Sequence, residues 1–387
     1  MNEKIDETVG FEPNHGLEDC LTGNVFPLQW NLEFGRELGR GGMGVVYEAY
    51  TRDVSGVKVR IAAKVSNRHS ASLAALRKET AILSKLDSDY LVKFLGYTEL
   101  NGRGVILMRY VDGPDLRALM KKHEELGLRI HQKFIGSIGW LDCEGLEVAH
   151  GVGAIHRDIK PENILVDLES GDPLLADYGI GVLRSDTPQI IGQMGGTVGY
   201  IAPELIEGRQ IDHRVDIYGL GMTLDAALRG RNALLDSVPE GSSPVQAIAI
   251  VRQALAQGYV PLVGIPGVNP ELAQIIRTAT MIDPEERFQS SAEMREQINN
   301  YLYVNKGFGP TRPGFVRYLR VIYNPLFPAY LDSLRKNGRA PNTLEFQEVR
   351  KKIADLKGKM KDYSWDEKGR LCFETNETES GRIAIEE

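Results

Sequence analysis

The apolar residues of this chain fall first into short β-branched and aromatic runs and later into helical spacings. Leu38–Tyr47 reads as strand, glycine turn, strand, and the continuation Val45-Val46-Tyr47-Glu48-Ala49-Tyr50 keeps the composition of a strand. Val57–Val65 is the next strand, and Gly104–Val111 is a buried strand entering a linker. Between them, Leu76, Ile82, Leu83 and Leu86 repeat at helical spacing. Asp115 is placed to cap a helix that starts at Leu116. From there to His150 the pattern is helical but broken by Gly127, Gly136, Gly139 and Gly145, and Gly151-Val152-Gly153 reads as a turn. Leu174–Asp177 is a short strand, and far downstream Phe346, Val349, Ile353, Leu356 and Met360 predict one more helical stripe.

With 387 residues the chain is long enough for roughly two to three average domains. Hydrophobic residues make up 42% and charged residues 26%, which is globular composition and excludes a disordered chain. A formal charge of -7 argues against general attraction to nucleic acid or to an anionic membrane. Cys20, Cys143 and Cys372 are too scattered for a disulfide framework or a zinc cluster. The acidic start MNEKIDETVG lacks the basic and apolar segments of a secretory signal, and no run approaches the about 18 apolar residues of a membrane span, so a cytoplasmic protein is expected.

The candidate chemistry is concentrated in three places. Gly39, Gly41 and Gly44 have the spacing GxGxxG, in which backbone amides can approach phosphate oxygens with no Cβ in the way. A dinucleotide fold needs a helix directly after those glycines, whereas here a strand follows. His156-Arg157-Asp158-Ile159-Lys160-Pro161-Glu162-Asn163 brings a proton acceptor, a cation and a metal-ligating amide into eight residues, and Asp177-Tyr178-Gly179 follows 14 residues after Asn163. The stretch from Asp177 closes on Gly196-Thr197-Val198-Gly199-Tyr200-Ile201-Ala202-Pro203-Glu204.

Together these motifs resemble the protein kinase superfamily, and the wording GGMGVVYEA is most similar to prokaryotic, Hanks-type serine/threonine kinases. The resemblance covers residues 32–301 and implies an α+β, two-lobed fold. A small β-rich N-lobe with one main helix would span about 32–110, and a larger, mainly helical C-lobe about 111–301. It implies that Asp158 accepts the proton of the attacking hydroxyl, that Lys160 neutralises charge on the moving phosphoryl group, and that Asn163 and Asp177 hold magnesium, with manganese as an alternative. Lys64, at the end of an IAAK, would bridge the α- and β-phosphates and pair with Glu79. Leu38, Gly39, Gly41, Gly44, Val46, Ala62, Met108, Tyr110, Val111 and Leu165 would complete the ATP pocket, with adenine read by the linker backbone. Arg109 departs from the acidic residue common there in relatives.

The resemblance further implies that Asp216 anchors the catalytic loop, that Gly219 replaces a usual serine and loosens its helix, and that Arg287 pairs with Glu204. The GTVGYIAPE close points to protein substrates with Ser or Thr acceptors, and Ser185, Thr187 and Thr197 are candidate phosphorylation sites, Thr187 foremost. The expected activity is ATP-dependent phosphorylation of proteins, with autophosphorylation in that segment; the alternative is a nucleotide-binding pseudokinase scaffold. Residues 1–31 are expected to form an N-terminal arm and 302–387 a partly helical extension without an assigned role. In the extension, Phe315, Tyr318 and their aromatic and proline neighbours suit a strap packed on a lobe, and a hairpin is expected around Asp366–Gly369, followed by an acidic, frayed end. The sequence leaves the oligomeric state open.

Overall fold

The computed structural model describes residues 32–41, 44–52, 55–66, 80–177, 195–261, 265, 267–304, 312–323 and 327, together with the backbone of three strands between 360 and 384. Five strands, β1 (Glu33–Gly41), β2 (Gly44–Arg52), β3 (Lys58–Ser66), β4 (Phe94–Leu100) and β5 (Arg103–Arg109), form an antiparallel sheet in the order β1-β2-β3-β5-β4. Side chains alternate between its faces. Ala49, Ile61, Ala63, Val65, Val105 and Leu107 fall on one face and bury a small core of their own. The register pairs Val46 with Lys64 and Ala62 with Met108, so these four residues share the opposite face. Alternation alone thus gathers the expected adenine-side residues beside the lysine.

The second core belongs to the helices α1 (Leu116–Glu125), α2 (Gln132–Gly151), α3 (Pro203–Ile206), α4 (Arg214–Arg229), α5 (Pro244–Ala256), α6 (Pro270–Ala279), α7 (Ser291–Asn299) and α8 (Arg312–Ile322), with the short hairpin β6 (Ile164–Val166) and β7 (Pro173–Leu175). Asp115 caps α1, its carboxylate accepting from Ala118 N at 2.6 Å. α4 is buried on all sides from Val215 to Leu228, its buried acids Asp216 and Asp225 paired with His150 and Arg229, and ends on Gly230 in the left-handed region. The two lobes of a kinase-type fold are therefore two separate cores, with residues 110–114 between them.

α2 corrects the broken helix expected before the catalytic loop. It runs unbroken through Gly136, Gly139 and Gly145, because those glycines are approach points and not breaks. A Cβ would come within 3.0 Å of Tyr301 at Gly136, 2.8 Å of Leu224 at Gly139 and 2.6 Å of Leu91 at Gly145.

The strap expected after the second lobe takes the form of a helix. Phe315 and Tyr318 of α8 pack on Phe134 of α2, with ring centroids at 4.6 Å and 4.2 Å. Of the predicted stripe ending at Met360, residues 346–359 lie outside the described residues, and Met360 itself begins a strand. β8 (Met360–Trp365) and β9 (Leu371–Thr375) pair as the expected hairpin, and β10 (Arg382–Ala384) adds a third strand where a frayed end was expected. The expected arm, residues 1–31, lies outside the described residues.

Candidate active site

Lys64 leaves the cleft face of β3 and donates from Nζ to Asp177 Oδ1 at 2.5 Å. Burial pushes the Asp177 carboxyl up, but the Lys64 ammonium more than offsets this by charge and hydrogen bond, with help from His156 and Lys160. The group titrates below its ordinary value. Asp177 sits just past β7 with φ +61, a region that strains a residue bearing a Cβ. The backbone before it is tied on both sides. Ala176 N donates to Asn163 O at 2.8 Å, and Ala176 O accepts from His156 Nε2 at 2.8 Å. That bond fixes the imidazole tautomer, so His156 Nδ1 accepts from Asp158 N at 3.3 Å.

Asp158 is held by its neighbours in the loop. Lys160 Nζ donates to Asp158 Oδ2 at 2.7 Å, and Asn163 Nδ2 donates to Asp158 O at 2.7 Å and to Oδ2 at 3.1 Å. Oδ1 is buried and has no hydrogen-bond partner among the described residues. Leaving a buried acceptor unsatisfied costs about 1–3 kcal/mol, so this oxygen is the site's open acceptor. The loop is positioned from beneath by Asp216, fully buried in the first turn of α4, which accepts from His156 N at 2.8 Å and Arg157 N at 2.7 Å. Arg157 has φ +65, and the two charge-assisted bonds hold that strained turn in place. His150 Nε2, at the end of α2, adds a third bond to Asp216 at 2.9 Å. In the sequence His150 reads only as the residue before a turn, because the partner that gives it a task lies 66 residues away.

The expected pocket residues divide by what the fold asks of them. A Cβ at Gly44 would lie 2.3 Å from Val65 O, so this glycine is needed for strand approach whatever binds; at Gly39 and Gly41 nothing lies within 4 Å. Leu38 is exposed at the rim, Val46, Met108 and Leu165 are half-buried, and Ala62 and Val111 are buried. Tyr110 keeps its side chain engaged by the N-lobe. Its ring stacks under the Arg60 guanidinium at 3.8 Å, and its hydroxyl accepts from Arg60 at 3.0 Å and from Arg36 at 3.4 Å. Any adenine contact at this position therefore falls to its backbone. Arg109 reaches the other lobe and pairs with Asp167 at 2.8 Å. Neither Arg60 nor Asp167 belongs to a motif, and nothing local in the sequence marks them. Glu79, Tyr178, Ser185 and Thr187 lie outside the described residues, as does the side chain of Thr197.

Beyond the loop, Glu204 and Arg287 meet in a fully buried, two-bond pair at 2.6 Å and 2.8 Å, with the guanidinium 4.9 Å from the centre of the Tyr218 ring. Truncating either partner leaves a buried charge and costs about 3–5 kcal/mol. Asn232 Nδ2 donates to Gly199 O at 2.9 Å, which fixes the end of the segment opening into the site. Among the described residues no group of three or more His, Cys, Asp and Glu side chains is arranged to hold a metal. The amide oxygen of Asn163 and the carboxylate of Asp177 are a two-residue set of hard oxygen donors. That suits an ion such as magnesium, which takes few protein ligands and completes its shell with phosphates and water.

The comparisons agree with this geometry. The chain is 34% identical over 263 residues to the serine/threonine-protein kinase PknD of Mycobacterium tuberculosis, a match covering 67% of this chain and 38% of PknD. It is 31% identical over 304 residues to PknJ of the same organism, covering 76% and 49%. The chain thus spans about two fifths to half of the length of these curated relatives. In fold it is similar to the crystal structure of the M. tuberculosis PknI kinase domain, with a TM-score of 0.51 at 24% identity, covering 72% of this chain and 98% of that one. The protein kinase domain family matches residues 32–300, and the chain belongs to that family.

Proposed function

We propose that the chain is a serine/threonine protein kinase that transfers the γ-phosphoryl group of ATP to Ser or Thr hydroxyls of proteins. One observation carries this reading. Asp158 has one carboxylate oxygen fixed by Lys160 and Asn163 and the other buried with no partner among the described residues, within a bonded path that leads through Asn163, Ala176 and Asp177 to Lys64. The substrate hydroxyl hands its proton to Asp158 as its oxygen bonds to the γ-phosphorus. The bond from that phosphorus to the β,γ-bridging oxygen breaks, and ADP leaves with the electron pair. Lys160 offsets the repulsion between the Asp158 carboxylate and the phosphoryl oxygens. Lys64 gives up its bond to Asp177 to hold the phosphates. Asn163 and Asp177 are the residues to hold magnesium, which when bound neutralises the phosphate charge. Leu38, Val46, Ala62, Met108, Val111 and Leu165 enclose the adenine.

Such a reaction draws on the ATP pool, which supports a cytoplasmic site of action. The activation segment is the expected site of autophosphorylation, at Ser185, Thr187 or Thr197. Incubation with labelled ATP, magnesium and a generic Ser/Thr protein acceptor tests the proposal. Asp158→Asn is expected to slow transfer by about 10²–10⁴-fold, and Lys64→Met to lose it as well. Equal labelling by all three proteins would leave a scaffold that binds nucleotide without turning it over.

A further inference from the structure

The linker that would read adenine is fastened to both lobes by side chains that no kinase motif contains. On the N-lobe side Tyr110 is held by Arg60 and Arg36, and both arginines also pair with Glu48, at 2.5 Å and 3.0 Å. On the C-lobe side Arg109 pairs with Asp167 at 2.8 Å. This is not an ordinary surface ion pair. Arg109 is half exposed, but the Asp167 side chain is only 5% exposed, and Asp167 and Asp112 repel each other. Removing the guanidinium leaves a buried carboxylate facing a second acid.

Asp167 is also the keystone of the β6–β7 turn. Its Oδ1 accepts from Glu169 N at 2.9 Å and Ser170 N at 3.2 Å, and Gly171 N donates to its carbonyl at 2.8 Å. The linker lies directly against this turn. Leu168 N donates to Asp112 O at 3.0 Å and Val166 N to Pro114 O at 2.8 Å, while a Cβ on Gly113 would fall 1.8 Å from Val166 O. The outer side of the turn is covered by α8. A Cβ on Gly171, which has φ +75, would meet Val316 at 3.0 Å and Phe315 at 3.2 Å. α8 is in turn fixed by Phe134 and by the bond between Tyr318 and His123. A continuous set of contacts therefore runs from a helix beyond residue 300, through the Asp167 turn, to the backbone beside the nucleotide.

We propose that Arg109 is a positioning residue for ATP, and that α8 strengthens ATP binding by holding the turn that carries its partner Asp167. The proposal rests on the kinase reading of the cleft. It makes the segment after the kinase domain part of the nucleotide site. Whatever loosens α8 should weaken ATP binding without touching the phosphoryl-transfer groups.

The test uses the full chain carrying Arg109→Gln, Asp167→Asn, both together, Arg109→Lys, Phe315→Ala and Phe315→Ala with Arg109→Gln. The readouts are kcat and KM for ATP, and the shift in Tm produced by magnesium-ATP. Arg109→Gln and Asp167→Asn should each raise KM by roughly three- to ten-fold with kcat within about two-fold. The double variant should be no worse than either, and Arg109→Lys should recover most of the loss. Phe315→Ala should raise KM alone but add little to Arg109→Gln. Should Phe315→Ala fail to fold, Gly171→Ala crowds Val316 and the Cβ of Phe315 from the turn side and is expected to raise KM likewise. An unchanged KM in folded Arg109→Gln overturns the clamp, and independent, multiplying effects of Phe315→Ala and Arg109→Gln overturn the role of α8. If the wild type transfers no phosphate, the kinase reading fails, and the ATP-dependent Tm shifts still decide whether the clamp exists.

Discussion

Among the described residues Asp158 and Asp142 both carry a buried carboxylate oxygen without a hydrogen-bond partner, and their surroundings give the two opposite meanings. Asp158 has an ammonium on its other oxygen and lies where the catalytic loop opens to the cleft. Asp142, inside α2, is fully buried, and neither of its oxygens has a partner among the described residues. Burial alone raises the Asp142 pKa well above the ordinary carboxylate value. The folded chain therefore keeps a proton that the unfolded chain releases above about pH 4, and stability falls as pH rises through that window toward the folded pKa. Asp142→Asn cannot ionise. It should raise stability by about 1–3 kcal/mol at about pH 8 and by much less at about pH 5, as read by urea unfolding at both. Equal gains at the two pH values would mean that Asp142 is ionised in the folded protein and has a partner there.

At the scale of the element, glycine decides more than helix propensity does. Gly219 stands in the first turns of α4, where the sequence suggests only a loosened helix. The structure gives it a different task, because a Cβ there would lie 3.0 Å from Ile159 Cβ and 3.3 Å from Ile159 O, inside the catalytic loop. Thr223 adds to the seam, its hydroxyl lying 3.5 Å from Ile159 O while it also donates within the helix to Gly219 O at 2.8 Å. Alanine gains about 1 kcal/mol of helix propensity, and overpacking against a backbone-proximal atom costs about 1–3 kcal/mol. Gly219→Ala is therefore expected to give no rise in Tm, together with a several-fold lower kcat as Ile159 displaces its neighbour Asp158. A higher Tm with unchanged kcat would show that the loop has room.

The same element explains what the sequence made legible. The family resemblance named Asp158, Asn163, Asp177 and Lys64 together because their spacing is set by shared chemistry, and the fold joins them through one bonded path. The strands were readable because alternation selects one face for Ala62 and Lys64. Gly136, Gly139 and Gly145 were misread as breaks because the residues that crowd them, Tyr301, Leu224 and Leu91, lie far away in the chain. For the same reason Asp167 was invisible and His150 was read only as the start of a turn.

For the molecule as a whole, the seam between α8 and the larger lobe turns on His123. Its Nδ1 donates to Leu119 O at 2.7 Å, which leaves Nε2 to accept from the Tyr318 hydroxyl in a short bond. A protonated ring has no use for that acceptor, and burial lowers the His123 pKa to about 4. Between about pH 6.5 and pH 4 the unfolded chain binds a proton that the folded chain refuses, so stability is lost as the pH falls through this window. At about 1.4 kcal/mol per unit the full loss is about 3 kcal/mol. Carboxylates such as Asp177, whose folded pKa is depressed, also lose stability on acidification, so the wild-type curve alone cannot isolate the histidine. The difference between wild type and His123→Gln can. The variant should start less stable at about pH 7, for want of the ring that donates to Leu119 O and stacks on Tyr318, and the gap should narrow or reverse as the pH approaches 4. Parallel unfolding curves across that range would show that the ring takes up its proton without leaving Tyr318, and that the seam with α8 does not sense acid.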